Sequence, residues 1–126
     1  FLGKANVLRG TWDGRALRTG EARVAVPALQ GVAVEAAVAV MIRPQALRWA
    51  QDAEGAGSGA GAGVPGTVLS ARVARDHLLG ALREYQLQVP ALGVELTLVE
   101  LSGEARRRGE QSIVLPAVDV HPLNEG

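Results

Sequence analysis

"SARVARDHLLGALREYQ", residues 70 to 86, decides the fold because it reads two ways. Its Ala, Leu, Arg and Glu content is good helix material by intrinsic propensity. Gly80 at its centre costs a helix about 1 kcal/mol relative to alanine, which weakens that reading without refuting it. The residues of this stretch leave helix and strand both open.

The neighbouring segments read as strands. In "REYQLQV", residues 83 to 89, Tyr85, Leu87 and Val89 alternate with Glu84, Gln86 and Gln88, a period of two. "VELTL", residues 94 to 98, continues the pattern until the phase slips at Leu98-Val99, where a β-bulge is the economical explanation. Upstream, "VAVEAAVAVMIR" sets Val32, Val34, Ala36, Val38, Val40 and Ile42 on one face and Glu35 and Arg43 on the other, so a strand is predicted over residues 32 to 42. Turn signals at Asp13-Gly14, Thr19-Gly20, Pro90 to Gly93 and Arg108-Gly109 separate such strands, the pattern of an all-β barrel or sandwich.

One segment differs in composition. "QDAEGAGSGAGAGVPG", residues 51 to 66, has few side chains able to pack and reads as a flexible loop dividing the chain into two lobes. Both lobes contain a similar phrase, "LRGTWDG" at Leu8 to Gly14 and "VPGTVLS" at Val64 to Ser70, a short internal echo. The loop is no phosphate cradle, since no strand precedes it and no helix with Lys and Ser/Thr follows.

Composition narrows the function. A chain of 126 residues buries one modest core. Phe1, Trp12, Trp49 and Tyr85 are the aromatics, so that core is built of small branched side chains. Lys plus Arg and Asp plus Glu balance at 13 each, which leaves no net field to attract nucleic acid or anionic lipid. The absence of cysteine excludes disulfides, thiolate metal sites and cysteine nucleophiles. No apolar run approaches the ~20 residues of a membrane span.

Four phrases, in order, resemble one family. "FLGKANVLRG", from Phe1, Gly3 and Asn6 to Gly10, is similar to the opening of the transport-associated OB-type (TOBE) domain of ABC importer ATP-binding subunits. "MIRPQALRW", with Arg43 and Pro44, resembles that domain's mid-point. "PGTVLSARVARDHLLGALREYQLQV", with Gly66, Leu79, Gly80 and Tyr85, resembles its Gly-x-Val, Phe-Leu-Gly and Tyr-x-Val pattern, and "RRGEQSIVLPAVDVHPL", with Gly109, its closing strand and tail. Gln45, where the family usually has an acid, Leu78, where it has Phe, and the long glycine loop are departures.

The resemblance implies an OB-like fold over residues 1–126, with strand, Leu-Leu-Gly turn and strand over residues 67 to 89. It also implies an ATPase domain upstream of Phe1 that holds ATP and magnesium, so this part of the chain is no enzyme and carries no cofactor. The expected partners are that ATPase domain, a second copy in a homodimer and membrane permease subunits, on the cytoplasmic face of the inner membrane. The domain would regulate transport and stabilise the dimer, for a cargo of ferric iron or polyamine type. The alternative is a small oxyanion-sensing or ligand-sensing domain at a dimer interface, with its anion near Ser70 to Arg72.

Other motifs carry less. "LSGEARR", Leu101 to Arg107, and "SIVLPAVD", Ser112 to Asp119, resemble ATPase motifs, but Glu104 replaces a signature glycine and Pro116 interrupts the run, so a hairpin turn and an edge strand are expected. His77 beside Asp76, or His77 with His121, lacks the spacing of a metal site. Arg106 to Arg108 reads as a solvated turn. Trp12 and Trp49 read as core or interface plugs, since stacking platforms need several aromatics in a positive groove.

Overall fold

The computed structural model describes residues 5–50, 66–102 and 106–123. The expected loop over 51–66 therefore lies outside the described residues except for Gly66, as do Phe1 and Gly3. Among the described residues the elements are ten strands and three single 3₁₀ turns. The strands are β1 (Asn6–Trp12), β2 (Leu17–Thr19), β3 (Ala22–Val24), β4 (Ala37–Ile42), β5 (Arg48–Trp49), β6 (Gly66–Leu79), β7 (Leu82–Val89), β8 (Val94–Leu101), β9 (Glu110–Pro116) and β10 (His121–Pro122). The architecture is all-β and OB-like, as expected.

The ambiguous stretch is a hairpin. β6 and β7 pair from Arg72↔Gln88 to Leu79↔Leu82, and the chain reverses at Gly80 with φ +63°. Helix propensity loses because Tyr85 and Leu87 become fully buried only when alternate residues face one side. A register shift between Val73 and Arg75 puts the bulge on β6. The bulge expected at Leu98-Val99 is absent: β7 and β8 pair without interruption from Leu82↔Leu101 to Val89↔Val94. Leu98 and Val99 are instead buried on opposite faces of one regular strand.

The strand predicted over residues 32 to 42 begins only at Ala37. Before it the chain turns through Glu35, held at φ +69°, whose N–H donates to the Trp12 carbonyl at 2.6 Å. Val34, expected on the inner face, is 62% exposed.

Two five-stranded antiparallel sheets result, ordered β10-β4-β1-β2-β3 and β5-β9-β6-β7-β8. Each has the same pattern, with the last short strand of one lobe completing the sheet of the other. Arg48 and Trp49 pair with Val114 and Ile113, and His121 and Pro122 pair with Met41 and Val40. One offset along the sequence relates both sets, so the lobes are structural duplicates that have exchanged their final strands. The expected edge strand at Ser112 is consequently interior, since β9 lies between β5 and β6.

The duplication differs in register from the sequence echo. Asn6 faces Ile42 as Thr67 faces Leu115, which aligns Val7-Leu8 with Val68-Leu69 and leaves the two Gly-Thr pairs out of step. The same alignment pairs Leu17 with Leu87 and Ala25 with Thr97.

The lobes share one core, in which Leu8, Trp12, Leu17, Val24 and Ile42 from the first meet Tyr85, Leu87, Leu98, Ile113 and Leu115 from the second. Side chains at the starts of β1 and β6 join the lobes. Asn6 Oδ1 accepts from the Thr97 N–H at 2.8 Å, and its Nδ2 donates to the Thr97 carbonyl at 2.9 Å. At the equivalent place Thr67 Oγ1 accepts from the Ala25 N–H at 2.9 Å. Asn6→Ala is expected to destabilise the protein by about 2 kcal/mol, because it leaves both Thr97 backbone groups without their partner. Urea unfolding measures this, and a variant as stable as the parent would contradict the role assigned to Asn6.

Candidate ligand-binding surfaces

Among the described residues, the positions that carry the resemblance are spread over both sheets and do not converge on one site. A Cβ at Gly10 would collide with the Arg18 carbonyl, and one at Gly66 with the Leu115 carbonyl, so both positions let strands approach closely. Pro44 is buried at the start of the 3₁₀ turn Pro44–Ala46, and Arg43 before it is exposed. Leu79 and Gly80 form the exposed tip of the β6–β7 hairpin, where Leu78, Leu79 and Leu101 are also solvent-exposed. Gly109, at φ +66°, turns the chain into β9.

Trp12 and Trp49 are buried, as expected of plugs. Trp49, brought across by the exchanged β5, packs edge-on against Tyr85 with ring centroids 5.0 Å apart. Its Nε1 donates to Glu100 Oε1 at 2.9 Å. Burial pushes the Tyr85 hydroxyl pKa up, and the Glu100 carboxylate beside it adds to that shift.

The arginine run divides. Arg106 makes a two-point bond to Asp76, whose side chain is only 5% exposed and also accepts from Arg83 Nη1 at 2.6 Å. The Arg107 guanidinium lies 5.4 Å from the centre of the Trp49 ring, and its backbone N–H donates to the Tyr85 hydroxyl at 3.0 Å. Of the three, the description "solvated turn" fits Arg108. Asp76 and Arg106 are too far apart in sequence for spacing to reveal their pairing.

The histidines do not form a metal site. His77 lies 3.2 Å from Glu84, and Asp76 beside it points to the other face of β6, while His121 is in the other sheet. Among the described residues no group of three metal-ligating side chains occurs, and no helix is long and apolar enough to cross a membrane.

The surface around Ser70 to Arg72 has a polar face. Ser70 on β6 and Ser112 on β9 are directly opposite and exposed, and Arg72 lies two residues along, opposite Glu110. The duplicate positions in the first lobe carry Arg9 opposite Ala39 and Thr11 opposite Ala37. A groove of about 180 Å³ lies there, lined by Arg9, Gly10, Ala37, Val38 and Ala39. Small side chains open it.

Two carboxylates are held below their usual pKa. Bonds from the Ala16 and Arg15 N–H groups, with Arg23, hold Asp13 at about 2, and the Arg106 bond, with Arg83, holds Asp76 below its usual value. Both folded values lie below the unfolded one, so their stabilisation is full above pH 3.8 and is lost as pH falls through the folded values. Stability is therefore expected to decline from pH 4 toward pH 2, and less steeply in Asp76→Asn. Denaturation at a series of pH values checks this, and parallel curves would contradict it.

No family model matches the chain, and no curated protein does. Among solved structures, the chain is similar to ModG, described as a cytoplasmic molybdate-binding protein and crystallised with molybdate bound, at a TM-score of 0.61 and 18% sequence identity. The similarity covers 91% of this chain and 92% of that one, so both lobes share the fold of that protein.

Proposed function

We propose that this chain is a TOBE-type, small-oxyanion-binding domain, with Ser70, Arg72 and Ser112 contributing to its anion site. The observation that supports this most is the likeness to ModG across both lobes, since the matched unit is the whole strand-exchanged pair. The local chemistry agrees. Two exposed hydroxyls on facing residues of antiparallel strands, with an arginine two residues along, offer hydrogen-bond donors to a compact oxyanion. Glu110 opposite Arg72 weakens the attraction for anions, so binding relies on directed hydrogen bonds as well as charge.

The four sequence phrases support a wider setting, in which the domain tunes an importer ATPase whose catalytic chemistry lies in another domain. In that setting the bound anion would report to the transporter through this domain.

Calorimetric titration with molybdate, sulfate and phosphate tests the proposal. One of these anions is expected to bind, and Arg72→Ala to weaken it at least about tenfold, a loss near 1.4 kcal/mol, within the range of a charged hydrogen bond. Failure of all three anions to bind at millimolar concentration would overturn the reading.

A further inference from the structure

We infer that Glu110 makes the surface around Ser70 selective for an inorganic oxyanion that keeps a proton at neutral pH, phosphate or arsenate, over fully ionised ones such as sulfate and molybdate. The inference rests on the anion-site reading above and names the substrate class of that site.

Four side chains share one face of two strands. Ser70 and Arg72 alternate with the buried Leu69 and Ala71 on β6, so both point outward, and their partners across the ladder are Ser112 and Glu110 on β9. Residues directly opposite stand about 5 Å apart and residues two along a strand about 7 Å, so the four outline one small patch. Arg72 and Glu110 face each other, yet they form no ion pair among the described residues. The next carboxylate along the same row, Glu95, lies 4.0 Å from Arg75, and Gln88, between Arg72 and Glu95, adds no charge. Glu110 thus presents its carboxylate to whatever Arg72 holds.

The chemistry of the four decides what fits. The two hydroxyls and the guanidinium can donate, whereas an ionised carboxylate only accepts. An anion bound by the three donors therefore meets at Glu110 either a repulsion or, if it carries an O–H, a hydrogen bond. Sulfate and molybdate carry no proton at pH 7, so an anionic oxygen is set against the carboxylate. Phosphate and arsenate keep at least one, and their O–H donates to Glu110 while their other oxygens accept from Ser70, Ser112 and Arg72. A like charge against one class and a hydrogen bond for the other arise from the same side chain, which separates anions of similar size and shape. The patch is open to water, which screens the repulsion, so the expected preference is about tenfold rather than complete.

Calorimetric titration of the full chain and of Glu110→Gln with phosphate, sulfate and molybdate near neutral pH tests the selectivity. Phosphate is expected to bind the parent about tenfold more tightly than either of the others. Glu110 is exposed, and its replacement removes the charge and adds a donor, so sulfate and molybdate are expected to come within about threefold of phosphate. Phenyl phosphate at pH 8, a tetrahedral group without a proton, is expected to bind as weakly as sulfate, which separates the free anion from a phosphate ester. Sulfate, molybdate or phenyl phosphate binding the parent as tightly as phosphate, or a preference unchanged in Glu110→Gln, would overturn the inference and leave the anion site standing. Binding by none of the anions would overturn both.

Discussion

One outer strand of each sheet, β8 and the end of β3, has backbone groups facing away from its hydrogen-bonded neighbour, and at one residue of each a side chain from the opposite lobe takes the place of a further strand. At Thr97 on β8, Asn6 supplies both a donor and an acceptor, as a neighbouring peptide group would. After β3, Thr67 supplies an acceptor for Ala25. A buried peptide group left without a partner costs about 1 to 3 kcal/mol, so these contacts constrain where the two sheets can lie. With that placement fixed, the exchanged strands β5 and β10 fall against β9 and β4, and a single apolar core fills the space between. The arrangement also protects sheet edges, which otherwise invite association with other chains.

The differences between the two matching lobes locate the candidate chemistry. β1 has 7 residues and its counterpart β6 has 14, so the second lobe carries a longer arm. That arm holds Asp76, Arg83, Tyr85 and Glu100, and the Arg106–Arg107 segment lies over it with Arg107 near the Trp49 ring. The outer faces diverge as well. Where the second lobe has Ser70 opposite Ser112, the first has Arg9 opposite Ala39. Two lobes of the same fold therefore present different side chains at matching places.

How far the sequence reveals this depends on how far each feature reaches along the chain. Alternation in "REYQLQV" marks β7 because every second residue meets the core, and Trp12 and Trp49 are legible as plugs because so few large side chains must fill it. Residues 70 to 86 were undecidable locally, since their propensity is helical and only the family resemblance favours the hairpin. The strand exchange left almost no signal, because β5 and β10 are two residues each and show no period. The duplication is visible as an echo in the wrong register, because Gly10 and Gly66 both let strands approach closely but stand at positions that the strand pairing does not make equivalent. Glu35 broke the expected long strand through a backbone conformation that its side chain does not advertise. The Ser70–Ser112 pair depends on β6 and β9 being neighbours, which spacing alone does not reveal.

Native-state hydrogen exchange tests the central claim, that neither lobe is complete without the other. The amides of Val40 and Leu8 in the first lobe, and of Ile113 and Leu87 in the second, lie in buried strand interiors. If the lobes complete each other, all four should exchange with one common free energy equal to that of global unfolding, and the Ala25 and Thr97 amides should approach it. Two distinct free energies, with one lobe staying protected while the other opens, would contradict it.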